Sequence, residues 1–331
     1  MNDSASTDRR ALEIPVWKKV MHALGIYLVV IALLPIAWFF DHSFFTATNF
    51  NNMFTGMQHL LIVVLGASFI TYSGKMADLS IPFTMVASAF AAVFFLPYGL
   101  PVALLATAVT GVLVGTVNGL AIGYLNLNPI IWTFAMNFIL EGVIRLFFQG
   151  RQVYPEGAGA EAFLAVANYR VLGFIPPVIF VAIVLGAILH VVMKKSNFGR
   201  DVQLTGSSEE VALATGVKVP GLILKVFVIS GLCTAFAGLT KASSLTTANY
   251  NLGLGMDFDA VTAIVLGGIS LQGGKGFLTG AVGGLLVVTI IQTTMSAIPG
   301  VSIYWQDIVK ASIFISVVAI NTHLSRKAGR S

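Results

Sequence analysis

Apolar runs recur along the whole chain, at 20–40, 57–74, 79–97, 100–124, 129–148, 174–193, 222–242, 257–271, 277–298 and 305–323. Continuous apolar stretches of about 20 residues are the signature of helices that cross a bilayer. The pattern therefore predicts an all-α polytopic transmembrane bundle of about ten spans, a single domain over 1–331. One long polar island, 194–220, interrupts the runs with Lys194, Lys195, Arg200, Asp201, Glu209, Glu210 and Lys218. It reads as a loop held outside the bilayer between two halves of the bundle. Several spans are short or broken by glycine. Non-helical backbone at membrane depth is tolerated only where protein or a cavity covers it, so some of these spans are expected to line a path.

Basic residues set the orientation. Arg9, Arg10, Lys18 and Lys19 precede the first run, and Arg326, Lys327 and Arg330 follow the last. The positive-inside rule places both ends in the cytoplasm, which demands an even number of spans. Ten spans put the basic island inside, the 1–19 tail inside, and the mixed-charge loop 149–173 (Arg151, Glu156, Glu161, Arg170) outside. The first run is longer than a signal-peptide core and no small-residue cleavage pattern follows it, so it reads as an uncleaved span. Arg9-Arg10 is not followed by the apolar run of a twin-arginine signal.

Composition narrows the classes. Hydrophobic residues make up 56% of the 331, charged residues 10%, and mean hydropathy is +0.88. Soluble domains carry roughly 25% charged residues. The net charge of +5 sits at the ends and in the island rather than in a nucleic-acid patch. The single cysteine, Cys233, excludes an intrachain disulfide and a cysteine-based zinc site and reads as a small buried residue. The histidines (His22, His42, His59, His190, His323) are scattered, with no metal pair at helical spacing. Asp257 and Asp259 open an apolar run with no base nearby, which suits a span end or cap better than acid–base work. No catalytic constellation emerges, and the chain is expected not to be an enzyme.

Gly273-Gly274-Lys275-Gly276 resembles a phosphate loop at first sight. Ile269 stands where the loop's first glycine belongs, and Gly276 where Ser or Thr must follow the lysine. No cofactor is expected in this chain. ATP and magnesium would belong to a partner subunit.

Small residues at four-residue spacing let helices approach closely. Gly111, Gly115, Gly119 and Gly123 form one such row, and Gly276, Gly280 and Gly284 a second. Within the island, Ser207 is placed to cap a helix with Glu210 completing a capping box. Val211-Ala212-Leu213-Ala214 continues it and Gly216 stops it. A helix of about two turns is not stable alone in water, so it rests either on a partner or on this protein's own spans.

Three segments together resemble the permease subunit of bacterial ABC importers for ribose, xylose, galactose-type sugars and autoinducer-2, with branched-chain amino-acid permeases as more distant relatives. The first is Gly206-Ser207-Ser208-Glu209-Glu210-Val211-Ala212-Leu213-Ala214-Thr215-Gly216-Val217. The second runs from Met256 through Asp257, Asp259, Gly267, Gly268 and Leu271 to Gly276. The third is Tyr304-Trp305-Gln306-Asp307-Ile308-Val309-Lys310. The similarity covers most of the chain from about residue 45. A fourth segment, Ala77-Asp78-Leu79-Ser80-Ile81-Pro82, keeps the family's Asp-Leu-Ser but has Pro82 where glycine is usual.

The resemblance implies a pore-forming subunit in the bacterial inner membrane that moves a sugar or similar small polar solute. It implies two permease chains, identical or paralogous, cytoplasmic ATPase subunits beneath them, and a periplasmic binding protein. It assigns the island (Ser207, Ser208, Glu209, Glu210, Val211, Ala212, Leu213, Ala214, Gly216) to ATPase coupling. Asp78, Leu79, Ser80, Gly267 and Gly268 are expected near the translocation path. Two alternatives stay open: the same machine with a non-sugar cargo (a sugar alcohol, autoinducer-2 or a branched-chain amino acid), and a stand-alone secondary transporter. The latter needs an intramembrane ionisable group, for which Asp78, or Glu141 with Arg145 four residues on, are candidates.

Overall fold

A computed structural model describes residues 16–298 and 300–328, without the side chains of 16–24, 303, 317 and 320–328. Arg9, Arg10 and Arg330 lie outside the described residues, and so does most of the 1–19 tail. The chain folds as α1 (Val16–Phe40), α2 (Ala47–Tyr72), α3 (Ile81–Phe95), α4 (Leu100–Gly123), α5 (Pro129–Phe148), α6 (Ala160–Asn168), α7 (Pro177–Lys195), α8 (Asn197–Ser207), α9 (Glu209–Ala214), α10 (Val219–Leu245), α11 (Met256–Leu266), α12 (Leu278–Ala297) and α13 (Ile303–Ala328). Among the described residues the only β pairing is two isolated bridges.

Proline and cap residues set the helix starts. Pro82, Pro101, Pro129, Pro177 and Pro220 stand in the first turns of α3, α4, α5, α7 and α10. There a missing N–H has no helical partner to lose. Pro82 thus opens α3 without breaking it. Asn128 caps α5 by accepting from the Ile130 and Ile131 amides at 3.0 and 3.2 Å.

Each of the ten expected spans coincides with a helix. Among the described residues seven of these are long and apolar enough to cross a membrane: α2, α3 with its one-turn extension to Tyr98, α4, α5, α7, α10 and α12. The expected span 257–271 is different. Its helix, α11, has only 11 residues, about 16 Å at 1.5 Å per residue. Gly268, Gly273 and Gly274 then turn the chain with positive φ.

At the centre lies α2, in which every residue from Met57 to Tyr72 is buried. A helix apolar on all sides belongs inside a bundle. Against α2 packs α10, which also meets α3 and α4. The first glycine row is the α4–α10 seam. A Cβ on Gly111, Gly115, Gly119 or Gly123 would lie 2.5–2.7 Å from backbone atoms of Gly231, Phe227, Leu224 or Pro220. The partner numbers fall as the glycine numbers rise, so the two helices run antiparallel.

The second row holds only in part. Gly280 and Gly284 pack on Gly267 and Ala263 of the α11 end, where a Cβ would meet carbonyl oxygens at 2.1 and 2.0 Å. Gly276 corrects the expectation. It precedes α12 with φ +126 and serves a turn against Ile269, because the helix begins only at Leu278. Outward faces of α4, α5 and α7 carry exposed Leu105, Leu113, Ile131, Phe138, Leu146, Val181 and Ile188. In a chain that crosses a membrane, such faces meet lipid.

Candidate functional site

The polar island is two helices rather than one. Ser196 ends α7 and caps α8, its hydroxyl accepting from the Gly199 amide at 3.1 Å. Val202 and Thr205 bury the inner face of α8 against its neighbours. Ser207 is the last residue of α8 and its hydroxyl donates back to the Gln203 carbonyl at 2.9 Å. The α9 cap is therefore Ser208, which accepts from the Val211 amide at 3.3 Å. This corrects the expected Ser207–Glu210 capping box by one position: the Ser207 hydroxyl is already bound into α8. Gly216, at φ +85, stops α9 as its position predicts.

Ala212 is fully buried, whereas Glu209, Glu210, Val211, Leu213 and Ala214 are exposed. Ala212 thus anchors α9 to the bundle, and Val211 and Leu213 are its free apolar side chains. Behind α9 three glycine-bearing segments interlock. The Tyr72 carbonyl at the end of α2 accepts from the Gly274 amide at 2.9 Å. A Cβ on Gly206 would lie 1.9 Å from that same carbonyl oxygen. One on Gly273 would lie 2.6 Å from the Gly74 backbone, and one on Gly274 2.0 Å from the Ser207 hydroxyl. The Gly273–Gly276 turn is a backbone wedge between α2 and α8. Lys75 closes the junction with a 3.0 Å ion pair to Glu209.

After α2 the chain turns through Gly74 and Met76, both at positive φ, into Asp78-Leu79-Ser80. The Asp78 carboxylate accepts from the Ser80 amide and hydroxyl at 2.8 and 2.5 Å. Asn118 of α4 donates to the Ser80 hydroxyl at 2.9 Å and receives the Trp132 indole N–H at 3.0 Å. The Leu79 amide donates to Thr133 of α5 at 2.9 Å. Burial pushes the Asp78 carboxyl up to about 6, against the two Ser80 bonds that pull it down. These bonds fasten the broken start of α3 to α4 and α5. Gly253 lies so close to Pro82 that a Cβ there would be 2.2 Å from its carbonyl oxygen. The other ionisable candidates are also paired: Arg145 donates to Glu141 at 2.8 Å and stacks 4.6 Å over the Tyr250 ring.

A polar cavity of about 780 Å³ opens between the first half of α2, the last turns of α10, the start of α11, the second half of α12 and the start of α13. It lies toward the end of α2 opposite Tyr72. None of Asp78, Leu79, Ser80, Gly267 and Gly268 lines it. Its centre is Asp259, whose two oxygens receive Lys310 at 2.9 Å and Gln292 at 3.0 Å. Lys310 also reaches Asp307 at 3.0 Å. Lys241 of α10 stands on the wall. Beside Lys241 is a buried cluster. Thr240 donates to the Ala237 carbonyl, so His59 donates through Nδ1 to the Thr240 oxygen at 3.0 Å. Asp259 is more than the span end the sequence suggested, and the roles of Gln292, Lys241 and Lys310 were missed. A signal was present: Thr289, Gln292, Thr293 and Ser296 fall at i, i+3, i+4 and i+7 of an apolar run, one face of a helix.

Membrane-capable helices around a polar cavity, with a capped helix held proud of the bundle, are the parts of a membrane permease. The chain belongs to the family described as branched-chain amino acid transport system, permease component, which matches residues 49–318. It is 33% identical over 316 residues to the galactose/methyl galactoside import permease protein MglC of Haemophilus influenzae, covering 90% of this chain and 93% of the relative. The ribose import permease protein RbsC of the same organism is 26% identical over 304 residues, covering 91% and 93%. The autoinducer 2 import system permease protein LsrC of Escherichia coli is 27% identical over 299 residues, covering 90% and 86%. No solved structure matches the chain. The three segments in the sequence thus pointed to the class of permease to which about 90% of the chain is similar.

Proposed function

We propose that this protein is the pore-forming subunit of an ATP-driven importer for a sugar or similar small polar solute. The relatives named for galactose, methyl galactoside, ribose and autoinducer 2 support that cargo class. In this reading the bundle has ten spans with both ends cytoplasmic, in a bacterial inner membrane. A second permease chain completes the pore, and a binding protein delivers solute at the 149–173 side. ATP and magnesium are held by partner ATPase subunits. The ion-coupled alternative is less well supported, because Asp78 is engaged by Ser80 and Glu141 by Arg145.

The observation that carries the reading is α9. Its Val211 and Leu213 are exposed while Ala212 is buried in the bundle, and the segment behind it is wedged onto the α2 backbone. A force on α9 would reach the central helix without passing through a flexible linker. Leu213→Asp and Val211→Asp are expected to release the ATPase from the detergent-purified complex while the permease remains folded. Ala212→Asp would bury an unpaired charge in the permease itself and is expected to destabilise this chain instead. Full ATPase retention and full solute-stimulated hydrolysis in both exposed variants would make α9 a plain connector.

A further inference from the structure

We propose that the polar cavity around Asp259 is a transit site for a neutral polyhydroxylated solute, contacted by Lys241 and Gln292. This deepens the importer reading and rests on it. At about 780 Å³ the cavity falls within the range of small-molecule sites, roughly 300–1,000 Å³. Its charges are mixed: Asp41, Asp259 and Asp307 face it together with Lys241 and Lys310. The acids disfavour an anion, and the two ammonium groups disfavour a cation. Asp259 is engaged by Lys310 and Gln292, Asp307 by Lys310, and Asp41 by Ser43.

Lys241 is different. Among the described residues no carboxylate lies within ion-pair distance of its ammonium. Its donors are therefore available to solute oxygens. A molecule with several hydroxyls offers acceptors to Lys241 and donors to the amide and carboxylate oxygens, whereas an apolar solute would leave these groups unpaired. Among the described residues no aromatic ring lines the cavity, so none of them offers a face for a sugar ring to stack on. Binding without stacking suits a site that must release its occupant. The groove of about 710 Å³ between α7 and α10 forms a contrast, with a lining that is almost entirely apolar.

The test uses the whole complex, permease with its ATPase and binding protein, reconstituted in vesicles. Uptake is measured with labelled D-galactose, D-ribose, D-xylose and D-glucose, and with D-galacturonate and D-glucosamine as charged counterparts. At least one neutral sugar should enter and the charged ones should not. Lys241→Met and Gln292→Leu should each lower uptake about tenfold or more, the effect of losing a hydrogen bond with a charged or buried partner. Lys241→Arg and Gln292→Asn should recover part of it, and they replace the first pair if either fails to assemble. Uptake within twofold of the parent in Lys241→Met and Gln292→Leu, or a parent that carries only charged solutes or none of the panel, overturns the proposal. Orthovanadate separates the two readings. Sugar uptake that persists when vanadate blocks the ATPase removes the importer reading, whereas vanadate-sensitive uptake indifferent to Lys241 and Gln292 removes this site alone.

Discussion

The two ends of α2 are built on opposite principles. At its C-terminal end, around Tyr72, the contacts are mostly backbone to backbone: Gly206, Gly273 and Gly274 let three chain segments touch where a Cβ would collide, and Gly74 turns the chain there at positive φ. Toward its N-terminal end the contacts are between charged and amide side chains, Asp259 with Lys310 and Gln292, around open space. Backbone packed directly on backbone leaves no gap to close before strain passes from one segment to the next. A cavity lined by long side chains can rearrange around an occupant. A device that transmits movement needs the first property, and one that lets a solute pass needs the second. Substitutions at each end should therefore fail differently.

The largest effect is expected at the cavity. Lys310→Met would leave Asp259 with Gln292 as its one partner among the described residues, in a site where the Asp259 and Lys310 side chains are only 11% and 18% exposed. Breaking a buried pair on one side costs about 3–5 kcal/mol, so a loss toward the lower end of that range is expected as a fall in melting temperature in detergent. The double variant Lys310→Met/Asp259→Leu should recover most of it, because no charge is then stranded. A single variant as stable as the parent would show that Asp259 is solvated well enough not to need the lysine.

At the glycine junction the expected loss is smaller and of another kind. Gly206→Ala pushes a methyl group into the Tyr72 carbonyl, whose separation of 1.9 Å is far inside contact. Overpacking of this type costs about 1–3 kcal/mol. The backbone would have to part, so the ATPase-stimulated transport rate should fall with stability. Gly142→Ala in α5, with nothing within 4 Å, is the control and should be neutral or slightly stabilising. Equal behaviour of the two variants would remove the wedge.

The two ends were also unequally legible in the sequence. Gly206 to Gly216 and Gly267 to Gly276 are contiguous motifs, so local signals reveal them: a cap, a stop, a run of glycines. Even there the cap slipped from Ser207 to Ser208, because nothing local says that Gln203 and Ser207 already belong to a preceding helix. The path expectation for Asp78 and Ser80 joined a break in the apolar pattern to the resemblance at Asp78-Leu79-Ser80. The break is real, but Asn118, Trp132 and Thr133 fill it from two other helices. The cavity draws Lys241, Asp259, Gln292 and Lys310 from four separate helices. Only the polar stripe on α12 betrays it in one dimension. Hydropathy gave helices at all ten spans, yet it could not see that α11 stops after 11 residues, since the glycine turn that follows keeps an apolar average.

The smallest effect sharpens the comparison most. Lys75 and Glu209 tie α9 to the turn after α2 at 3.0 Å, with side chains 19% and 45% exposed. An ion pair this open is worth about 0.2–1 kcal/mol and is screened by salt. If the glycine wedge alone joins α9 to α2, removing the pair should barely change coupling. Lys75→Met and Glu209→Gln should then each leave the ratio of solute transported to ATP hydrolysed within about twofold of the parent, and the double variant should add nothing. A double-mutant cycle on melting temperature at low and high salt should give a coupling energy below about 1 kcal/mol that falls as salt rises. A salt-independent coupling of several kcal/mol, or a transport ratio that collapses with either single variant, would mean the junction works through charge as the cavity does. The contrast between the two ends would then be one of location alone.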